Sequence, residues 1–365
     1  MKKYLLLFIF IFQFCCTLSA QSVIPSVTND SITLLFAGDI MGHSPQFKAA
    51  YNPKTNTFNY DICFQQVKSY TESADLAIAN LEVPIAGKPY SGYPCFSSPD
   101  ALLDALKSAG YDILLTANNH ALDRGKQGLE RTISQIEKRK LYPIGTYINE
   151  IQRDSTYPLI VKIKGLKLAF LNCTYGTNGN VVSKPDKVNY IDTLEILKDI
   201  HKANSLGADF KIMVIHWGTE YELHANETQR KIAQFLVNNG IQLIIGSHPH
   251  VVQNAEFLYG KDSIAVPVFY SLGNSISNQK QINTDGGIMV KVTIGCQEKK
   301  ITRTAYLPVY VYIGTLNGIY QYHLIPTTQF IKNPSLFPIN KVECSSLNFF
   351  ESETRKRLSN VKLLD

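Results

Sequence analysis

The stretch "LLFAGDIMGH", residues 34–43, decides how this chain is read. A run of core-forming residues stops at Gly38-Asp39, and a histidine stands four positions after the aspartate. A buried strand hands over to a functional loop in this way. One instance carries little. Its weight depends on whether other apolar runs end alike and whether their ends can meet.

Further short apolar runs follow: "DLAIA" (75–79), "DILLTA" (112–117), "LKLAFLN" (166–172), "FKIMVI" (210–215), "IQLII" (241–245) and "VPVFYS" (266–271). They are continuous rather than alternating, as expected of strands covered on both faces. Amphipathic helix patterns lie between them. "SPDALLDALKSAG" opens with a Ser-Pro-Asp cap signal, and "KQGLERTISQIEKRK" puts Leu129, Ile133 and Ile136 on one stripe. "DTLEILKDIHKANSLG" and "NETQRKIAQFLVNNG" are similar, and both end in Gly. The alternation predicts an α/β fold, with one large domain over 31–295. Residues 296–365 are expected to add antiparallel strands and a tail packed on that domain.

The run ends share a chemistry. They carry Asp39 and His43, Asn80-Leu81-Glu82, Asn118-Asn119-His120 with Asp123, His216-Trp217, and His248-Pro249-His250. In open α/β sheets the carboxyl ends of the strands lie along one edge, where ligand sites form. Five of the eight histidines occupy those ends. Each alone has a structural explanation, and together they predict a metal site. Imidazole, carboxylate and amide oxygen suit Mn, Zn or Fe, and the lack of paired cysteines argues against a purely structural zinc. Seven candidate ligands are too many for one tetrahedral ion and suit two divalent ions ~3.5–4 Å apart.

Composition narrows the setting. With 45% hydrophobic and 18% charged residues and no low-complexity tract, the chain is an ordinary folded protein. "MKKYLLLFIFIFQFCCTLSAQS" reads as a secretory signal over residues 1–20, cleaved near Ala20–Gln21. Its apolar run is short for a membrane span, so an uncleaved anchor and a lipoprotein at Cys15 or Cys16 are lesser readings. The mature protein is therefore expected to be exported, periplasmic or extracellular. Lys2 and Lys3 leave with the signal, so the 36 Lys and Arg fall to 34 against 30 acids, about +4. No basic stripe exists, and nucleic acid is not an expected partner. Of the remaining cysteines, Cys173 and Cys296 read as core residues, and a Cys63–Cys95 bridge is one pairing an oxidising compartment would allow.

The set "GDIMGH", "NLE", "ANNHALDRG", "HWGTEY", "GSHPHVVQ" and "YSLGN" resembles the CapA family of capsule (poly-gamma-glutamate) synthesis proteins, a branch that looks like calcineurin-like metallophosphoesterases. The match covers roughly residues 31–295, with six motifs in order. It implies a four-layer α/β/β/α sandwich with the metals at the strand ends. Carried over, Asp39, His43 and His250 hold one ion. Asn119, His216 and His248 hold the other, and Glu82 bridges the pair. His120 is implied as the general acid and Asp123 as the group that orients it. Three departures stand out. Three residues separate Asp39 from His43 where the wider superfamily has one, so His43 reaches the ion only through about one helical turn. Glu82 replaces the usual bridging aspartate. Ala121 stands where an acidic residue normally follows the Asn-His pair.

Substrate contacts are expected from Arg124, as a bidentate grip on carboxylate or phosphate, from Glu220 and Tyr221 lining the cleft, and from the loop "NCTYGTNG" (172–179), while Asn274 reads either as a substrate contact or as a group behind the ligands. The expected function is an exported metal-dependent hydrolase of a cell-envelope or capsule polymer, cleaving a gamma-glutamyl amide or a phosphoester. The expected partners are an anionic polymer or small-molecule substrate and capsule-assembly proteins. A second reading is a non-catalytic accessory whose metals organise a polymer-binding cleft. A third, a glycosidase using Glu82 and Glu220, leaves the histidines unexplained.

Overall fold

A computed structural model describes residues 31–364 other than 262, 317 and 338. The candidate secretory signal lies outside the described residues. Two sheets face each other. The first has nine strands, with Ser31–Ile40 at its centre. On one side of it run Leu76–Leu81, Ile113–Leu115 and Tyr142–Ile144, all parallel. On the other side Gly286–Gly295, Lys300–Leu316 and Ile319–Pro326 continue the same sheet antiparallel. The second sheet has six strands, with Leu166–Thr174, Phe210–His216, Leu243–Ser247 and Ala265–Phe269 parallel and antiparallel strands at both edges.

The continuous apolar runs are explained by the pleat, which sends successive side chains to opposite faces. Ile32, Leu34, Phe36 and Ile78 of the first sheet meet Leu168, Phe170, Ile212 and Val214 of the second in a shared inner core. Their neighbours Leu35, Ala77 and Ala79 point outward, onto Leu102, Leu103 and Leu106 of the Ala101–Ser108 helix. On the far side Ala169, Leu171, Met213 and Ile215 pack under Ile196 and Ile200 of Thr193–Ser205 and Ala233 and Leu236 of Glu227–Asn238. These layers make the four-layer α/β/β/α sandwich. Each buried aliphatic side chain contributes about 1.5–3 kcal/mol.

Helix ends follow local chemistry. Asp192 caps Thr193–Ser205 by accepting from the Leu194 and Glu195 amides, and Asn226 caps Glu227–Asn238 with Gln229 completing the box. Gly110, Gly207 and Gly240 follow their helices with φ of +88°, +74° and +90°. The Ser-Pro-Asp cap signal is not used as expected. Asp100 makes no capping bond, and its carboxylate instead takes both Nη atoms of Arg131 at 2.8 and 2.9 Å. The Cys63–Cys95 bridge is also absent: Cys63 is a buried free thiol and Cys95 an exposed one. No helix among the described residues is long and apolar enough to cross a membrane.

Candidate metal centre

The centre starts from a bulge in the first strand. Ala37 pairs with Ala79, but Asp39 pairs with Asn80, so Gly38 is an extra residue with no partner. Strict alternation would send Asp39 outward with Ala37. The bulge instead turns it to the inner face, beside Asn80 and Glu82. Glycine is required there because a Cβ would land on the Gly273 carbonyl oxygen.

The donors then converge from both sheets. Two groups of side chains are close enough to hold an ion: Asp39, Glu82 and His250, and Glu82, His216 and His248. All five are buried, and Glu82 belongs to both. His250 Nε2 and His216 Nε2 each lie 3.6 Å from Glu82 Oε1. Asn119 Oδ1 joins the second group, 2.9 Å from His216 Nε2.

Outer contacts fix these rings and carboxylates. Ser247 Oγ lies 2.9 Å from His216 Nδ1, and Asn274 Oδ1 lies 3.1 Å from His250 Nδ1. Asn80 Nδ2 donates to Asp39 Oδ1 at 2.8 Å and to Glu82 Oε2 at 3.2 Å. Asn118 Nδ2 in turn donates to Asn80 Oδ1 at 3.3 Å. His248 and His250 have φ of +100° and +58°, conformations that side chains with a Cβ rarely adopt. Such strain costs on the order of 1–3 kcal/mol per residue and persists where the surroundings impose it. Here the His248 amide donates to Asp39 Oδ2 at 3.3 Å, and Pro249 O accepts from the Tyr221 amide at 2.9 Å.

The donor set fits divalent cations. Glu82 Oε1 and His248 Nδ1 are buried without a hydrogen-bond partner among the described residues, an arrangement that otherwise costs free energy. Burial, and then repulsion from Asp39, push the Glu82 carboxyl well above its usual range. Burial likewise pushes His216 well below the usual imidazole range and His248 down to about 3. The imidazole lone pairs of His216 and His248 are therefore free for ligation at neutral pH. Soft sulfur is absent, and N and O donors in this mixture suit Mn, Zn or Fe.

His120 stands beside this cluster as a dyad with Asp123. Its Nδ1 lies 2.8 Å from Asp123 Oδ2, which also accepts from the Phe96 amide at 2.8 Å. The Phe96 ring meets the imidazole edge-on at 4.7 Å.

Other sequence expectations need correction. Neither ligand group contains His43. The helical turn that would carry it to the ion does not form, because residues 41–43 are irregular and the helix begins only at Ser44. Its ring is instead held by Gln46 Oε1 at 3.0 Å and packs against Phe96 at 5.3 Å. Arg124 does not offer a free fork. Its Nε donates to Phe96 O, and its Nη2 donates to Pro89 O and Ser91 Oγ, so it secures the 89–96 loop. Asn274 is fully buried, with Nδ2 donated to Gln279 Oε1 and Thr284 O and Oδ1 against His250 Nδ1, so it stands behind a ligand, the second of its two readings. Glu220 is exposed, whereas Glu82 is fully buried and belongs to both ligand groups. Tyr221 lies over His250 with ring centroids 6.4 Å apart.

Two further residues gain a specific place at the centre. Asn80 ties both carboxylates together, and its signal was present: in a strand, positions 80 and 82 face the same way. Tyr175, from the 172–179 loop, places its ring 4.5 Å from His248. Asn178 of the same loop accepts from Asn119 Nδ2 at 3.3 Å.

The family profile of the bacterial capsule synthesis protein PGA_cap matches residues 33–279, more than half of the chain and all of these motifs. The chain belongs to the PGA_cap family. It is 27% identical over 276 residues to a capsule biosynthesis protein CapA of Bacillus anthracis, covering 72% of this chain and 64% of that one. It is 26% identical over 294 residues to a PGA biosynthesis protein CapA of Bacillus subtilis (strain 168), covering 78% and 74%. The chain thus spans just under two thirds of the first relative's length. Among solved structures, a Mycoplasma pneumoniae phosphatase matches at TM-score 0.45 and 17% identity, covering 77% of this chain and 94% of that one. The Haemophilus influenzae NAD nucleotidase matches at TM-score 0.49 and 12% identity, covering 89% and 68%. The layers and the centre described above stand on the PGA_cap chain's own geometry.

Proposed function

We propose that this PGA_cap protein is an exported metal-dependent hydrolase acting on a capsule or cell-envelope polymer, at a gamma-glutamyl amide or a phosphoester. The observation that carries the reading is Glu82, a buried carboxylate shared by two ligand groups and left with an unsatisfied oxygen. Asp39 and His250 would hold one divalent ion, His216, His248 and Asn119 the other, with Glu82 between them. Bound there, the ions would supply a water nucleophile at neutral pH and charge stabilisation at the attacked oxygen.

The remaining roles belong to the chain. Asp123 holds His120 by Nδ1 and leaves Nε2 for the reaction. A proton held at Nε2 is passed to the leaving group, a role that typically contributes ~10²–10⁴-fold. Phe96 fixes the ring plane and walls off solvent on that side. Asn80 keeps Asp39 and Glu82 aimed inward. The dyad favours catalysis over a purely binding role, because a ligand cleft has no use for an oriented proton donor.

The test is His120→Ala, with metal content and turnover of phosphoester and gamma-glutamyl substrates measured together. Retained metal with turnover lost supports the assignment. Turnover equal to that of the parent protein removes His120 from the mechanism. Polymer binding abolished by chelators, with no product on long incubation of the parent protein, would replace the hydrolase with a capsule-assembly accessory.

A further inference from the structure

The mouth of the centre carries an exposed carboxylate, Glu220, in the electrostatic reach of two tyrosines. Tyr175 and Tyr221 are 47% and 37% exposed, although each is anchored by its backbone. The Tyr175 amide donates to His216 O at 3.0 Å and the Tyr221 amide to Pro249 O at 2.9 Å. Their rings flank the ligand imidazoles, Tyr175 at 4.5 Å from His248 and Tyr221 at 6.4 Å from His250. Glu220 precedes Tyr221, is exposed, and has no ion-pair partner among the described residues. Its charge acts on both phenols and on Glu82 within.

Aromatic faces attract cations, and a carboxylate beside them adds full opposite charge. An anionic chain entering this mouth would meet Glu220 as a repulsive group unless its own charge changes sign there. We propose that Glu220, Tyr175 and Tyr221 form a subsite for a primary ammonium group, placed next to the bond held at the centre. The ligand would then be an amino-terminated chain end or an amino sugar, cationic on one side and carrying an oxyanion or carbonyl on the other. This deepens the proposed function, on which it rests for the position of the substrate. The cation subsite itself stands on the rim geometry.

Paired probes test it by isothermal titration of the metal-loaded protein. One pair is gamma-glutamylglutamate and its N-acetyl derivative; the other is glucosamine 6-phosphate and N-acetylglucosamine 6-phosphate. The free amine of at least one pair is expected to bind about tenfold more tightly. In Glu220→Gln that gap closes through weaker binding of the amine, and in Glu220→Lys it inverts, with metal content as the folding control. The pair that shows the gap identifies the source of the amine. Equal binding within both pairs, no binding at millimolar concentration, or a gap that survives in Glu220→Gln overturns the subsite. A gap without turnover would retain the subsite and reject the hydrolase; turnover without a gap would do the reverse.

Discussion

Asn119 Oδ1 lies 2.9 Å from His216 Nε2, although one follows a strand of the first sheet and the other ends a strand of the second. The two sheets are joined at their carboxyl ends by a polar contact as well as by the core below it. Donors from different sheets can face each other at this distance only if the sandwich is fully packed, so the centre and the fold report on each other.

Metal content follows from that arrangement. The parent protein is expected to hold about two transition-metal ions per chain by elemental mass spectrometry. His216→Ala loses the ion on its side, His250→Ala loses the other, and Glu82→Ala loses both. A Glu82→Ala variant that kept two ions would show that Glu82 is not shared.

The bulge at Gly38 makes a sharper prediction. In Gly38→Ala the added Cβ meets the Gly273 carbonyl, which is backbone and cannot swing aside. Overpacking of this kind costs about 1–3 kcal/mol. Denaturant unfolding should show that loss together with a lower content of the ion held by Asp39. Full stability and full metal content would mean that the two strands separate easily here.

Arg153 Nη2 meets both carboxylate oxygens of Asp199 at 2.9 and 2.8 Å. The side chains are only 13% and 7% exposed, and the guanidinium also lies 4.9 Å over the Tyr157 ring. Removing one partner of a buried pair strands the other charge. Asp199→Ala is expected to lose about 3–5 kcal/mol in urea unfolding, while Arg153→Met with Asp199→Leu recovers much of it. A loss below about 1 kcal/mol would mean that water reaches Arg153.

Stability should also depend on pH through Asp285, next to the C-terminal helix Lys341–Arg357. Burial first, then the nearby Glu343, raise its carboxyl to about 6. An unfolded aspartate titrates near ~3.9. The folded state therefore binds the proton more tightly, so this group's contribution is full below pH ~4 and is lost as pH rises to about 6. Asp285→Asn is expected to stabilise the protein by about 1–2 kcal/mol at pH 7 and by little at pH 3.5, a partial realisation of the shift because the residue is not fully buried. Equal effects at both values would exclude the titration as the cause.

Much of the fold was legible because its signals are local. All seven apolar runs became strands, since a buried parallel strand needs continuous apolar residues. The edge strands Tyr142–Ile144, Leu159–Ile163 and Ala255–Tyr259 are not legible, because partial burial leaves apolar runs of at most three residues. The meeting of Glu82, His216, His248 and His250 was legible for the same reason as the strands, because each directly ends one or closely follows it.

By itself the sequence determined which donors stand at strand ends, and so that imidazole and carboxylate would gather along one edge of an α/β sandwich. Tertiary structure decided the rest. It turned Asp39 inward through the Gly38 bulge, kept His43 out of the ligand groups, committed Arg124 to the 89–96 loop, and set Asn80 and Asn274 behind the ligands. These outcomes depend on carbonyls, rings and amides brought together from 24 to 235 positions apart, for example Asn274 beside His250 and His43 beside Asn278. Periodicity fixes the face on which a side chain starts. The partner it finds there is fixed only when the sheets pack.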